Sequence, residues 1–238
     1  MKRIAVVIPA YNEEASVSAV VSSVNSLVSE KYIYTPIVVN DASTDRTAEI
    51  ASKLDCILLS LPANLGIGGA VQTGFRYAWR EGFDYAFQVD GDGQHPADQL
   101  PVLLKGIENT GADVVIGSRF ITGKGFQSTF LRRTGIRFLG FQIRIFTGQR
   151  ITDCTSGFRV VNRNALELIN EYYPDEYPEP ESILYYHRNK LTISEIPVVM
   201  HERTGGKSSI RAFSTIYYII KVSLAMFFTN FRIKKRRS

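Results

Sequence analysis

Cysteine is nearly missing from this 238-residue chain, and so is any hydrophobic run long enough to cross a bilayer. Cys56 and Cys154 are the only two cysteines. That excludes a disulfide-stapled scaffold and a cysteine-built metal centre; a reducing, cytoplasmic compartment is the simpler reading, although two cysteines could pair. The C-terminal stretch TIYYIIKVSLAMFF (215–228) is apolar on nearly every side but interrupted by Lys221. As a helix it covers about 21 Å, short of the roughly 30 Å hydrocarbon core. It predicts an interfacial or partner-binding helix rather than a span, with a plain core helix as the alternative. The opening MKRIAVVIPAYNEE has an apolar run only from Ile4 to Ala10, broken by Pro9, and predicts a first β-strand rather than a leader. Repeats and low-complexity tracts are absent. No nucleic-acid-binding module is recognisable, so nucleic acid is not an expected partner.

Acidic residues are missing from Val114 to Thr152, where seven basic ones occur: Arg119, Lys124, Arg132, Arg133, Arg137, Arg144 and Arg150. Phe126, Phe130, Phe138, Phe141 and Phe146 interleave with them. A basic amphipathic segment of this kind predicts a membrane-surface element. The net charge of +5 is equally local, because Arg232, Lys234, Lys235, Arg236 and Arg237 account for all of it. This polybasic tail is expected to be attracted to anionic lipid. The body of the chain is formally neutral, and its 45% hydrophobic and 21% charged content is ordinary for a globular protein.

The first half alternates regularly. Strands are predicted at RIAVVIP (3–9), PIVVN (36–40), CILLSL (56–61), the approach to Asp90, and ADVVIGS (112–118). Helical segments are predicted from about Glu13 to Val28, over 41–54 with Asp and Ser/Thr as caps, and from about Gly69 to Arg80. This alternation implies an α/β domain with a mainly parallel sheet covered on both faces. Ligands of such sheets bind beyond the carboxyl ends of the strands. The polar residues Tyr11, Asn12 and Glu13, then Asp41, Asn64 and Asp90 to Gln94 all fall there. The segment NLGIGGAVQTG (64–74) imitates a dinucleotide fingerprint, but Val71 stands at the third glycine and the segment follows the third strand. It suits close backbone approach or tight packing instead.

QVDGDGQHP (88–96) follows an apolar, aromatic strand. Asp90 and Asp92 stand one residue apart, and such carboxylates repel unless a cation sits between them. Mg²⁺ or Mn²⁺, which take oxygen ligands and share them with phosphates, would serve. A solvated turn is the plainer alternative.

Taken together, VVIPAYNEE, VVNDASTDRT, NLGIGGA, QVDGDGQHP and DCTSGFR resemble the family 2 glycosyltransferases, most of all the dolichyl- and polyprenyl-phosphate sugar synthases. The resemblance runs in order from about residue 3 to 211. It implies a GT-A type fold, a nucleoside-diphosphate sugar donor (UDP- or GDP-linked), Mg²⁺ or Mn²⁺, and inversion at the anomeric carbon. By it, residues 1–211 form the transferase domain, with an interfacial segment at 118–150, and 212–238 a C-terminal apolar helix and tail. Pro9, Tyr11 and Glu13 match the family's base- and ribose-binding loop. Asp41 matches the second aspartate of the usual Asp-Asp-Gly-Ser, with Asn40 and Ala42 replacing its first aspartate and its glycine. Asp92 and Gln94 match direct metal ligands, with Asp90 towards the ribose or a water; His95 reads either as a ligand or as part of the turn. Arg203 and Lys207 match a loop closing over the diphosphate, or form a basic surface loop. Arg119 and Arg133 match acceptor-phosphate contacts, and Asp153 is a site residue that acts as a base or orients other groups.

The expected acceptor is a polyprenyl phosphate, met at the inner, cytoplasmic face of the membrane. A saccharide hydroxyl is the alternative, and needs a base: Asp153, or Glu181 in YPEPES, which also reads as part of a solvated acidic loop. A non-catalytic nucleotide-sugar sensor is the rival of another class. The resemblance leaves room for a small membrane-protein partner and for a homo-oligomer.

Overall fold

The computed structural model describes residues 1–125, 129–202 and 212–232. Seven strands form one sheet: β1 (Lys2–Ala10), β2 (Tyr32–Asn40), β3 (Ile57–Ser60), β4 (Tyr85–Gln88), β5 (Val114–Ser118), β6 (Arg159–Asn162) and β7 (Ile193–Pro197), in the order β3-β2-β1-β4-β6-β5-β7. Only β6 runs antiparallel to its neighbours β4 and β5. The helices are α1 (Val17–Asn25), α2 (Thr47–Ala51), α3 (Gly66–Arg80), α4 (Leu100–Thr110), α5 (Phe130–Thr147), α6 (Arg163–Glu171), α7 (Pro178–Arg188) and α8 (Ala212–Arg232).

β1 shows why this sheet is covered twice. Its side chains alternate, so Ala5 and Val7 enter one core with α3, α5, α6, α7 and α8, while Ile4, Val6 and Ile8 enter another with α1 and α4. The chain moves from β1 out to β3, then returns to β4 on the other side of β1. The switch point therefore lies between the ends of β1 and β4, where an open sheet offers a crevice.

The first two helices are shorter than their sequence patterns, and the third starts three residues earlier. Residues 41–46 are not helical: Ala42 adopts φ +55°, and α2 begins only at Thr47. Ala42 thus takes the left-handed conformation that suits glycine, at a cost of about 1–2 kcal/mol. α3 begins at Gly66, because the Asp41 carboxylate accepts from the Leu65 and Gly66 N–H groups (2.7 and 2.9 Å). Asp41 serves the helix after β3 rather than the one after β2.

The glycines of NLGIGGA serve packing. A β-carbon on Gly68 would collide with the carbonyl oxygens of Pro174 and Asp175, and one on Gly74 with the Val7 side chain. Backbone cannot yield as a side-chain tip can. Gly68→Ala is therefore expected to cost about 1–3 kcal/mol, read as a fall of roughly 2–12 °C in Tm. An unchanged Tm would show that this contact is slack.

Both cysteines are free thiols, Cys154 buried and Cys56 half-buried. α8 exceeds the expected 14-residue apolar run: at 21 residues it is about 31 Å long. Val222 and Met226 are buried in the core, while Tyr217, Ile220, Leu224, Phe227 and Phe228 are exposed. On α5, Phe130, Leu131, Phe138, Phe141 and Ile145 are exposed too. Among the described residues no helix is long and apolar enough to cross a membrane.

Candidate active site

The strand ends meet around a cavity of about 400 Å³ at the switch point. Pro9, Tyr11, Glu13, Asp41, Asp90 and Asp92, widely separated in sequence, all line it. Local bonds hold the rim. The Glu13 N–H donates to Thr47 Oγ1 (2.8 Å), and its carboxylate accepts from Ser16 Oγ (2.8 Å). Tyr11 is exposed, and Asp41 is anchored to α3 as described.

Asp90 and Asp92 emerge from β4 on a turn whose shape His95 maintains. The Asp90 N–H donates to His95 Nδ1 (3.0 Å), and the imidazole stacks on Phe158 at 4.7 Å between centroids. Burial pushes its pKa down to about 4, so the ring is neutral near pH 7. Its Nδ1 is therefore spent on the backbone of the turn. Asp92 is buried and its Oδ1 accepts from the Gln94 N–H (3.0 Å). Gln94 does not line the cavity; its carbonyl accepts from the His201 N–H (3.0 Å). Arg203 and Lys207 lie outside the described residues.

Two carboxylates on one wall of an open cavity fit a hard divalent cation that also takes phosphate oxygens. Among the described residues no group of three or more His, Cys, Asp or Glu side chains gathers to form a closed cage. The donor set therefore suits a cation shared with a ligand rather than one held by protein alone.

Behind the cavity lies a buried ion pair. Arg119, at the end of β5, donates Nε to Asp153 Oδ2 and Nη2 to Asp153 Oδ1, both at 2.7 Å. The Arg119 backbone N–H also reaches Oδ2 (3.1 Å). Burial opposes the Arg119 charge, but the bonds and charge of Asp153, then the charge of Asp90, hold its pKa above the ordinary value. Both Asp153 oxygens are thus occupied by guanidinium. DCTSGFR builds this loop: buried Arg159 donates to the Ser156 and Cys154 carbonyls (2.7 and 3.0 Å) and to Ser182 Oγ (2.8 Å). A β-carbon on Gly157 would press within 3.0 Å of Asp90 Oδ1.

α5 separates two adjacent arginines. Arg132 lies on the stripe of Ile136, Leu139 and Ile143, facing inward towards Thr155, which also accepts from Arg119 Nη2 (3.4 Å). Burial and then the Arg119 charge lower the Arg132 pKa. Arg133 lines a different cavity, between α5 and the segments that carry Phe120, Ile151 and Thr152. The matched residue and its neighbour thus line different cavities, and it is the neighbour's that includes Thr155. The helical stripe in the sequence carried that signal.

α7 separates two glutamates in the same way. Glu179 lines the main cavity, accepts from Gln88 Nε2 (3.3 Å), and has its pKa raised by burial. Glu181 instead accepts from Thr229 Oγ1 of α8 (3.1 Å). It belongs neither to the cavity lining nor to a solvated loop, being buried.

The family model for glycosyl transferase family 2 matches residues 5–169. A UDP-N-acetylglucosamine–dolichyl-phosphate N-acetylglucosaminyltransferase from Methanococcus voltae is 32% identical over 217 residues, covering 83% of this chain and 85% of that protein. An undecaprenyl-phosphate mannosyltransferase from Micrococcus luteus is 30% identical over 223 residues, covering 87% of each. Among solved structures, glucosyl-3-phosphoglycerate synthase from Mycobacterium tuberculosis, in complex with Mn²⁺, UDP and glucosyl-3-phosphoglycerate, superposes with a TM-score of 0.71 at 21% identity, over 98% of this chain and 81% of that one. That likeness concerns the fold, which is of the GT-A type. With the family model spanning most of the chain and two relatives matched over most of their length, this chain belongs to glycosyltransferase family 2.

Proposed function

We propose that this glycosyltransferase moves a sugar, with inversion, from a nucleoside-diphosphate sugar to a polyprenyl phosphate at a membrane face. One observation carries the choice of acceptor: Asp153, a base candidate for a hydroxyl acceptor, has both carboxylate oxygens bonded to the Arg119 guanidinium. A phosphate monoester has a second pKa near ~6 and needs no base to become nucleophilic. The relatives named for dolichyl- and undecaprenyl-phosphate transfer, and the exposed apolar faces of α5 and α8, support the same reading.

In this reading the rim from Pro9 to Glu13, with Asp41, receives the nucleoside. Asp90 and Asp92 hold Mg²⁺ or Mn²⁺, which when bound offsets the charge of the departing diphosphate. Asp153 fixes the Arg119 fork, and Arg119 with Arg132 draws in the acceptor phosphate. Arg203 and Lys207 are assigned to the diphosphate by the family resemblance alone.

Nucleoside-diphosphate release by the purified protein tests the proposal, over a panel of UDP- and GDP-sugars with Mg²⁺ or Mn²⁺, with and without undecaprenyl phosphate. Release that requires the lipid phosphate is the expected result; release only with a saccharide would overturn it. Glu179 favours the second reading, transfer to a hydroxyl, because its carboxylate lines the donor cavity. If it were the base, Glu179→Gln would lose roughly 100-fold or more in kcat. The expectation for a lipid-phosphate acceptor is a far smaller loss, expressed mainly in KM for the sugar donor.

A further inference from the structure

We propose that the Arg133 face of α5 holds a second anion site, one that takes the phosphate headgroup of an anionic membrane phospholipid. Arg133, Arg137 and Arg144 recur at helical spacing on that face and, with Arg150, line a cavity of about 400 Å³. No acidic residue lines it, and it shares no lining residue with the donor cavity. None of the four guanidinium groups has a hydrogen-bond or ion-pair partner among the described residues, and Arg133 Nε is buried without one. Arg159, by contrast, spends its guanidinium on the Ser156 and Cys154 carbonyls and on Ser182 Oγ. Four like charges around one cavity repel, and a phosphate accepting several N–H groups relieves that repulsion.

The remaining wall says what carries the phosphate. Phe120, Ile136, Phe141 and Ile151 line it, and Phe138 and Ile145 are exposed beside it on α5. A cavity lined by both guanidinium groups and hydrocarbon fits a lipid better than a free anion or a nucleic acid. The inference deepens the membrane-face reading above and rests on it.

The test uses dihexanoyl phosphatidylglycerol below its micelle concentration, titrated calorimetrically into the full chain. The same-length phosphatidylcholine and inorganic phosphate run beside it. Saturable binding of the anionic lipid, weakened at least about tenfold in Arg137→Gln/Arg144→Gln, is expected. Tm should not fall in that variant, and nucleoside-diphosphate binding should be unchanged. Equal binding of the neutral lipid, or an unaffected double variant, overturns the site. Inorganic phosphate or a short RNA binding as tightly as the lipid overturns the lipid assignment. Displacement at equal affinity by a short prenyl phosphate overturns its separateness from the acceptor. Sedimentation with phosphatidylcholine/phosphatidylglycerol vesicles reads the membrane proposal by itself, so vesicle binding that persists while the monomeric lipid fails removes only this site.

Discussion

Asp92→Asn is expected to lower turnover by at least about 100-fold while leaving the fold intact. The amide keeps the shape of the carboxylate and an oxygen for the Gln94 N–H, so the turn around His95 has no reason to change. What it removes is one negative charge from the wall of the donor cavity. That charge is one of two offered by Asp90 and Asp92 to a divalent cation, and a single remaining carboxylate binds a hard cation far less well. The loss should appear in nucleoside-diphosphate release, with the requirement for Mg²⁺ or Mn²⁺ shifted to higher concentration. Chelation of divalent ions should reduce the unsubstituted protein to the same low rate. Normal turnover by Asp92→Asn would remove the metal assignment, and with it the account of leaving-group departure given above.

Asp153→Ala is expected to act first on stability. Arg119 is 5% exposed and Asp153 fully buried, and two parallel 2.7 Å bonds join them. Removing the carboxylate strands a buried guanidinium, which costs about 3–5 kcal/mol in such pairs. In a chain of this size that corresponds to roughly 6–20 °C in Tm. The pair itself is not a net source of stability, because burying two charges offsets most of their attraction. Arg119→Met/Asp153→Leu is accordingly expected to recover most of the lost Tm and none of the activity. Asp153→Asn and Arg119→Lys test the catalytic role. If Asp153 works by holding Arg119, the two substitutions should be strongly non-additive in kcat/KM, and the acid limb of the pH profile should stay where it was. A limb that disappears only in Asp153→Asn would mark it as a base and favour a hydroxyl acceptor.

The sheet and the polar cavity at its switch point were legible in the chain because their signals are local. Apolar strands ending in Tyr11, Asp41 or Asp90 announce a polar edge whatever the distances between them, since a parallel sheet gathers its carboxyl ends. Asp90 and Asp92 sit on one short turn, so their proximity follows from spacing alone. Helix boundaries were less legible. The Asp41 carboxylate reaches Leu65 and Gly66, 24 and 25 residues on, and no local pattern shows a cap supplied from another strand end.

By itself, then, the sequence determined the fold class, the polar edge, the closeness of Asp90 and Asp92 and the basic amphipathic face. Tertiary structure decided which side chains face the chemistry. It joined Arg119 to Asp153 across 34 residues, set Arg132 and Arg133 on different cavities, and brought Glu179 rather than Glu181 to the cavity at the switch point. The physical reason is angular. Successive residues on an α-helix point about 100° apart, so a match misplaced by one or two positions lands on a different face. On a turn between strand and helix the same error moves a side chain by only a few ångströms.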